Sequence, residues 1–178
     1  MNLYKDLPLW ADENAAIINT IIEIPMGSMV KYEYNKDLNV VELDRFLTAP
    51  MAMPYNYGLL PQTYNAEDKD PLDVIVLSHY SLAPGSIAKA KVVGVLHMVD
   101  GGEADDKIIA IAYKDPFLWG IDTIDDVHKH TKDQIDHFLK HYKALEGKHV
   151  DVSWFASKEK AIFITNECYK NFKNKYSG

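Results

Sequence analysis

The chain has 178 residues, of which 47% are hydrophobic and 25% charged, a balance that excludes disordered and fibrous classes and allows one domain spanning residues 1–178. Its net charge of −7 argues against the basic footprint of non-specific nucleic-acid binding, and its single cysteine, Cys168, suits a reducing cytoplasm. The opening "MNLYKDLPLWADENAAII" lacks the basic region and long apolar core of a signal peptide, and no apolar run is long enough to span a bilayer. These features predict a soluble cytoplasmic protein with no membrane partner.

Strands come first in the chain. The isoleucine-rich "AIINTIIEIP", Ala16 to Pro25, reads as a strand ended by proline. "MVKYEYN" alternates strictly, with Val30, Tyr32 and Tyr34 on one face and Lys31 and Glu33 on the other. "VVELDRFL" follows as a further strand, and alternation places Arg45 on the face of Val41 and Leu43. "PMAMPYNYGLLPQTYN" reads as irregular, punctuated by three prolines and Gly58. "VIVL", "KVVGVLHMV" and "KIIAIAY" are strand-like, the last two joined as a hairpin with Gly101 and Gly102 at the bend.

After Asp122 the period changes. From Thr131 to Gly147, Ile135, Phe138, Leu139, Tyr142 and Leu145 share one helical face, with Thr131 and Gln134 spaced as a capping box and Gly147 as a C-terminal cap. A second helix from Ser157 to Lys175 sets Ala161, Ile164, Cys168 and Phe172 on one stripe. Strands followed by helices predict an α+β fold: a small barrel or highly twisted sheet with helices packed outside.

Two acidic loops carry the chemistry. "EDKDPLDV" gathers Glu67, Asp68, Asp70 and Asp73 beside the buried strand "VIVL". An EF-hand fails on spacing, because Leu72, Asp73 and His79 fall where a ligand, a glycine and the closing glutamate belong. Carboxylates without Cys or paired His favour a hard divalent cation such as Mg²⁺ or Mn²⁺. "DGGEADDK" adds Asp100, Glu103, Asp105 and Asp106, ending in Lys107. With Lys31 and Arg45 these residues suit a small polyanion, since Arg forks onto phosphate oxygens while Lys acts as a point charge. Bound divalent cations reconcile an acidic protein with a polyphosphate. No nucleophile elbow or Walker loop is present, so a metal-activated water is the expected nucleophile of a phosphoryl-transfer reaction.

"DKDPLDV" resembles the D-x-D-P-x-D-V signature of the family I soluble inorganic pyrophosphatases, and "IEIPMGSMVKYEYN", "LDRFL", "PYNYGLLPQT", "PGSIAKAKVVGVLHMVD", "DDKIIAI" and "IDHFLKHYKALEGK" resemble that family's other blocks in the same order. The resemblance implies an OB-type five-stranded barrel with flanking α-helices. It also implies hydrolysis of pyrophosphate to two phosphates with several Mg²⁺ per site, Mn²⁺ or Zn²⁺ substituting, and assembly as a homohexamer with His137 and His141 in an interface. By the same resemblance the metal ligands are Asp68, Asp73, Asp100, Asp105, Glu23 and Glu33, and Asp70 assists deprotonation of the attacking water. Lys31, Arg45, Lys107, Tyr142 and Lys143 match phosphate ligands, and Tyr57 sits near the metal carboxylates. Met53 stands where the family commonly has a phosphate-binding tyrosine, so one contact is expected to be missing unless Tyr55 supplies it. Two other readings stay open: an oligonucleotide-binding module with Tyr32, Tyr55 and Tyr57 as stacking platforms, and a metal-dependent hydrolase of nucleotides or longer polyphosphates.

Overall fold

A computed structural model describes residues 1–176. The chain runs through α1 (Leu3–Asp6), β1 (Trp10–Asp12), β2 (Ile17–Ile24), β3 (Val30–Asn35), β4 (Val40–Phe46), β5 (Asn56–Leu59), β6 (Asp73–Leu77), β7 (Ile87–Asp100), β8 (Glu103–Ala104), β9 (Lys107–Ala112), α2 (Lys129–His141), β10 (Val150–Ala156) and α3 (Lys158–Tyr176). Strands β2, β5, β6, β9 and β7 pair in that order, and β7 pairs again with β2, which closes a ring of five strands. All contacts in the ring are antiparallel except β6–β9, which is parallel. The mixed α+β architecture and the closed ring are those the sequence predicts.

Closure explains the apolar runs. Ile75, Leu77, Ile109 and Ile111 join one core, which α2 covers with Ile135, Phe138 and Leu139. Their sequence neighbours Val74, Val76, Ile108 and Ala110 join a second core, which α3 covers with Ala161 and Cys168. Strands buried on both faces lose the apolar–polar alternation of a half-solvated sheet. Among the described residues, no helix is long and apolar enough to cross a membrane.

Several sequence expectations shift. The stretch read as irregular contains β5, whose Gly58 packs so closely on β2 that a Cβ there would stand 2.1 Å from the Ile21 carbonyl oxygen. "VDVSWFA", not predicted as structured, forms β10 against β7, with a register shift between Val152 and Trp154. Helix α2 begins earlier than Thr131: His128 is the N-cap and accepts from the His130 N–H, so no capping box forms. It ends at His141, and Gly147 (φ 69°) instead closes a short 3₁₀ turn, Ala144–Glu146, leaving Leu145 exposed. On α3 the fully buried position is Thr165 rather than Ile164. Gly101 and Gly102, at φ 61° and 92°, do form the bend between β7 and the short β8.

Strands β3 and β4 form a separate two-stranded hairpin. Lys31 pairs with Arg45 but Tyr32 pairs with Leu43, so Asp44 is an extra residue in β4. Directly opposed residues share a face, and the bulge turns Arg45 onto the face of Lys31 and Glu33. The expected placement with Val41 and Leu43 is thereby corrected.

Candidate active site

The two acidic loops meet at one rim of the ring. In the first loop, Asp68 Oδ1 accepts from the Asp70 N–H at 2.9 Å, and Lys69 adopts φ 65° between them. The Asn65 N–H donates to the Asp70 carbonyl at 2.8 Å, so the turn is closed on itself. Asp73 begins β6 and is paired in register with Lys107 at the start of β9. Asp100 ends β7. Glu67 Oε2 accepts from the Ala104 N–H at 3.2 Å and ties the first acidic loop to the second.

These loops, the β3–β4 hairpin, β5 and the end of α2 enclose a cleft of about 240 Å³ lined by Lys31, Arg45, Tyr57, Asp68, Asp70, Asp73, Asp100, Glu103, Asp105, Lys107, Tyr142 and Lys143. A recess of about 80 Å³ shares Lys31, Tyr57, Asp70 and Asp73 with it and adds Glu23 and Glu33. Every predicted site residue therefore lines one continuous groove. A larger apolar depression, about 510 Å³ and lined by residues such as Tyr80, Tyr113 and Phe117, contains none of them.

Cations and anions interleave in the groove. Lys107, almost fully buried, donates to Asp73 Oδ2 at 2.5 Å and to Asp105. Tyr57 donates its hydroxyl to the same Asp73 oxygen at 2.6 Å, and its ring lies 5.8 Å from the ammonium. Lys143 pairs with Asp100, Lys31 with Asp44 at 2.8 Å, and Lys36 with Asp70. Arg45 approaches Glu146 at only 3.8 Å, and its buried Nε has no hydrogen-bond partner among the described residues. Buried guanidinium N–H groups are normally satisfied, so this donor lacks the acceptor that such a group ordinarily has.

Burial and like charge raise the carboxyl groups. Glu23, buried and beside Asp73, is pushed up to about 8 although its Oε1 accepts from the Tyr34 N–H at 2.7 Å. Asp68 is raised to about 6, chiefly by burial, with Asp105 and Asp73 adding to it. Asp105 is raised by burial and by Asp73, with Lys107 opposing. Burial opposes the charge on Lys107, but Asp73 and Asp105 outweigh it and hold the ammonium well above its usual value. Among the described residues, no three acidic, histidine or cysteine side chains stand close enough to hold a metal ion as they are oriented here, and lysines pair with Asp73, Asp105 and Asp100. The donor set nevertheless fits a hard divalent cation: it is all oxygen, and burial, with neighbouring carboxylates adding to it, makes the charged form of Asp68 and Asp105 costly without a cation beside it.

Two contributors escaped sequence reasoning. Lys36 lies in the β3–β4 turn yet reaches Asp70, and Glu146 faces Arg45 from the turn after α2; both depend on contacts remote in sequence. Glu103, named with the second acidic loop but given no role there, also lines the cleft. Two further expectations change. Met53 is buried in the core beneath α2, and the Tyr55 hydroxyl donates to Gln134 Oε1 at 2.8 Å, so neither lines the groove. Tyr57 is engaged by Asp73 and Lys107, which leaves no row of free aromatic platforms for an oligonucleotide.

A closed strand ring that gathers carboxylates and phosphate-seeking cations into one cleft defines a phosphoryl-transfer hydrolase. The sequence model described as Inorganic pyrophosphatase matches residues 20–173. The inorganic pyrophosphatase of Halalkalibacterium halodurans is 44% identical over 157 residues, 88% of this chain and 96% of that protein. The crystal structure of inorganic pyrophosphatase from Thermus thermophilus superposes with a TM-score of 0.91 at 39% identity, covering 97% of this chain and 99% of the other. A truncated Trypanosoma cruzi vacuolar soluble pyrophosphatase, solved in complex with PPi, gives a TM-score of 0.90 at 26% identity over 98% of this chain and 79% of that one. The chain belongs to the inorganic pyrophosphatase family and is an inorganic diphosphatase, hydrolysing pyrophosphate.

Proposed function

We propose that this protein hydrolyses pyrophosphate in a Mg²⁺-dependent reaction, with a metal-activated water as nucleophile, and that residues 1–178 act as one domain. The observation that carries this reading is the convergence of carboxylates with Lys31, Arg45, Lys107 and Lys143 in one cleft. Asp68, Asp73, Asp100 and Asp105, with Glu23 and Glu33 in the adjoining recess, would hold the divalent ions, Mg²⁺ first and Mn²⁺ or Zn²⁺ as substitutes. Such ions, when bound, neutralise phosphate charge and lower the pKa of coordinated water toward neutrality.

The chain's own groups do the rest. Arg45 and Lys31 bind phosphate oxygens from the hairpin wall. Lys107, Lys143 and Tyr142 bind from the opposite wall, with Lys143 lying 5.3 Å from the Tyr142 ring. Asp70 lines the cleft from the acidic loop and takes the proton of the attacking water. Attack forms one P–O bond and breaks the bridging P–O bond, giving two phosphates from one pyrophosphate and one water. Tyr57 fixes Asp73 by its 2.6 Å hydrogen bond.

The acidic balance supports a cytoplasmic protein independent of nucleic acid and membrane, and the exposed His137 and His141 on the outer face of α2 support assembly as a homohexamer through that face. The test is phosphate release from pyrophosphate by metal-stripped protein, with and without added Mg²⁺, beside ATP and tripolyphosphate. Turnover should appear with Mg²⁺, favour pyrophosphate, and not be supported by Ca²⁺, which takes looser and higher coordination. Full turnover in chelator would sink the reading.

A further inference from the structure

The two walls of the cleft belong to separate parts of the fold. Lys31, Glu33 and Arg45 ride on the β3–β4 hairpin, which lies outside the ring, whereas Asp68 and Asp70 sit on the loop between β5 and β6. Across the groove the walls meet at the Lys36–Asp70 ion pair. Behind it, α1 and its flanks touch both. Toward the hairpin, the Leu3 N–H donates to Asn39 Oδ1 at 2.8 Å and Asn2 Nδ2 donates to the Lys36 carbonyl at 2.7 Å. Toward the acidic loop, the Tyr4 hydroxyl donates to the Thr63 carbonyl at 2.7 Å, and the Gln62 N–H donates back to the Tyr4 carbonyl at 2.9 Å.

Thr63 is the neck of that loop. It is fully buried, and its Oγ1 donates to the Leu60 carbonyl at 2.7 Å while accepting from the Leu72 N–H at 2.9 Å. Both ends of the segment carrying Asp68 and Asp70 thus meet at one side chain, and Tyr4 holds that residue's backbone. Tyr4 is itself 1% exposed and packs edge-on against Phe172 of α3 at 5.3 Å, so it has little freedom to shift. Tyr4, Thr63 and Asn39 line neither part of the cleft.

We propose that Tyr4 and Asn39 are positioning residues: through them α1 braces the phosphate-binding hairpin against the acidic loop and sets the separation of the two walls. The inference rests on the reading of the cleft given under Proposed function. Positioning of this kind matters because misplacement of reacting groups by about 1 Å can cost on the order of a hundredfold in rate. A brace with two ends makes a specific prediction, since cutting each end releases a different wall.

The experiment compares Tyr4→Phe, which keeps the ring but loses the hydroxyl, with Asn39→Gly, which removes the carboxamide at a backbone position (φ 59°) that glycine adopts freely. Mn²⁺ binding is titrated without substrate, amide hydrogen exchange is followed over 61–72 and 30–46, and KM and melting temperature are measured. Tyr4→Phe should weaken Mn²⁺ binding about fivefold, the effect of one lost hydrogen bond, and speed exchange in 61–72. Asn39→Gly should leave the Mn²⁺ held by the acidic-loop aspartates within about twofold of wild type, loosen only an ion that Glu33 on the hairpin would share, raise KM by a comparable factor of about five, and speed exchange in 30–46 but not in 61–72. Lowered melting temperatures with Mn²⁺ affinity, KM and local exchange all unchanged would show that α1 merely packs and would overturn the proposal. If wild-type protein fails to hydrolyse pyrophosphate with Mg²⁺, the functional reading falls instead; the binding and exchange results still decide whether the brace exists.

Discussion

Lys107 and Asp73 stand directly opposite each other across the parallel β6–β9 pair, and the Lys107 ammonium bonds both Asp73, at 2.5 Å, and Asp105. A buried ammonium between two carboxylates is stable only while both partners remain, because removing one side leaves uncompensated charge. Lys107→Met should therefore destabilise the metal-free protein by about 3 kcal/mol. Added Mg²⁺ should return part of that loss by taking over the neutralising role, while activity stays low because a phosphate ligand is gone. Denaturant melts with and without Mg²⁺ check this; equal losses in both conditions would separate Lys107 from the metal-binding carboxylates.

Glu23 makes stability depend on pH in a stated direction. Its folded-state pKa, about 8, lies above the ordinary glutamate value of 4.5, so the folded state holds a proton that the unfolded state releases. Its contribution is fully present below the ordinary value and is lost as pH rises through about 8. Metal-free protein should accordingly lose on the order of 4 kcal/mol between pH 5 and pH 9, roughly 8–16 °C in melting temperature for a chain of this size. Glu23→Gln, which can still accept from the Tyr34 N–H, should flatten that slope. A slope unchanged in the variant would assign the titration to other groups.

Asp70 and Asp73 sit three residues apart in different surroundings. Asp73 is held by Tyr57 and Lys107 at the base of the groove, whereas Asp70 faces Lys36 at its edge. Asp73→Asn should lose activity mainly through weaker metal binding, with partial recovery in excess Mg²⁺. Asp70→Asn should bind metal normally and turn over about 10²- to 10⁴-fold more slowly, the usual worth of a positioned base. Equal losses of metal affinity in both, by calorimetric titration, would refute the division.

The site was legible because its carboxylates are neighbours in sequence, and an apolar strand beside "EDKDPLDV" marks them as anchored rather than solvated. What stayed hidden was set by tertiary contact. Gly58 lies in a proline-bounded stretch that reads as coil, yet its missing side chain is what lets β5 pair with β2. Strict alternation put Arg45 on the wrong face, because a bulge at Asp44 is not marked by glycine or proline. His128 capped α2 although histidine is not a preferred capping residue, which moved the helix start upstream of the Thr131–Gln134 spacing. Lys36 and Glu146 could be joined to Asp70 and Arg45 only once the hairpin and α2 were placed.

His137 and His141 lie one turn apart on α2 with ring centroids 4.3 Å apart, and both are exposed on the side opposite Ile135, Phe138 and Leu139. An interface that covers these rings leaves two fixed like charges placed there desolvated and unpaired. The proposed hexamer should be intact for the wild-type chain near pH 8, and His137→Glu/His141→Glu should break it into smaller species. Light scattering on both checks this, and a wild-type monomer at micromolar concentration near pH 8 would contradict the assembly.

Met53 and Tyr55 bear on a phosphate contact that the sequence alone left open. Met53 is 7% exposed and packs in the same core as Ile24, Phe138 and Leu139, so it fills apolar space rather than facing the groove. A tyrosine there would add a ring and a hydroxyl to a filled site; overpacking of that kind costs roughly 1–3 kcal/mol. Met53→Tyr should thus melt lower and leave KM for magnesium pyrophosphate unchanged, contrary to the expectation that it restores a lost contact. Tyr55 donates to Gln134 Oε1 at 2.8 Å, an exposed bond between the segment before β5 and α2. Tyr55→Phe should cost no more than about 1 kcal/mol and also leave KM unchanged. A several-fold rise in KM for Tyr55→Phe would mean that its hydroxyl leaves Gln134 and reaches substrate when the groove is filled; a fall in KM for Met53→Tyr would mean that the core opens to admit the new side chain to the cleft.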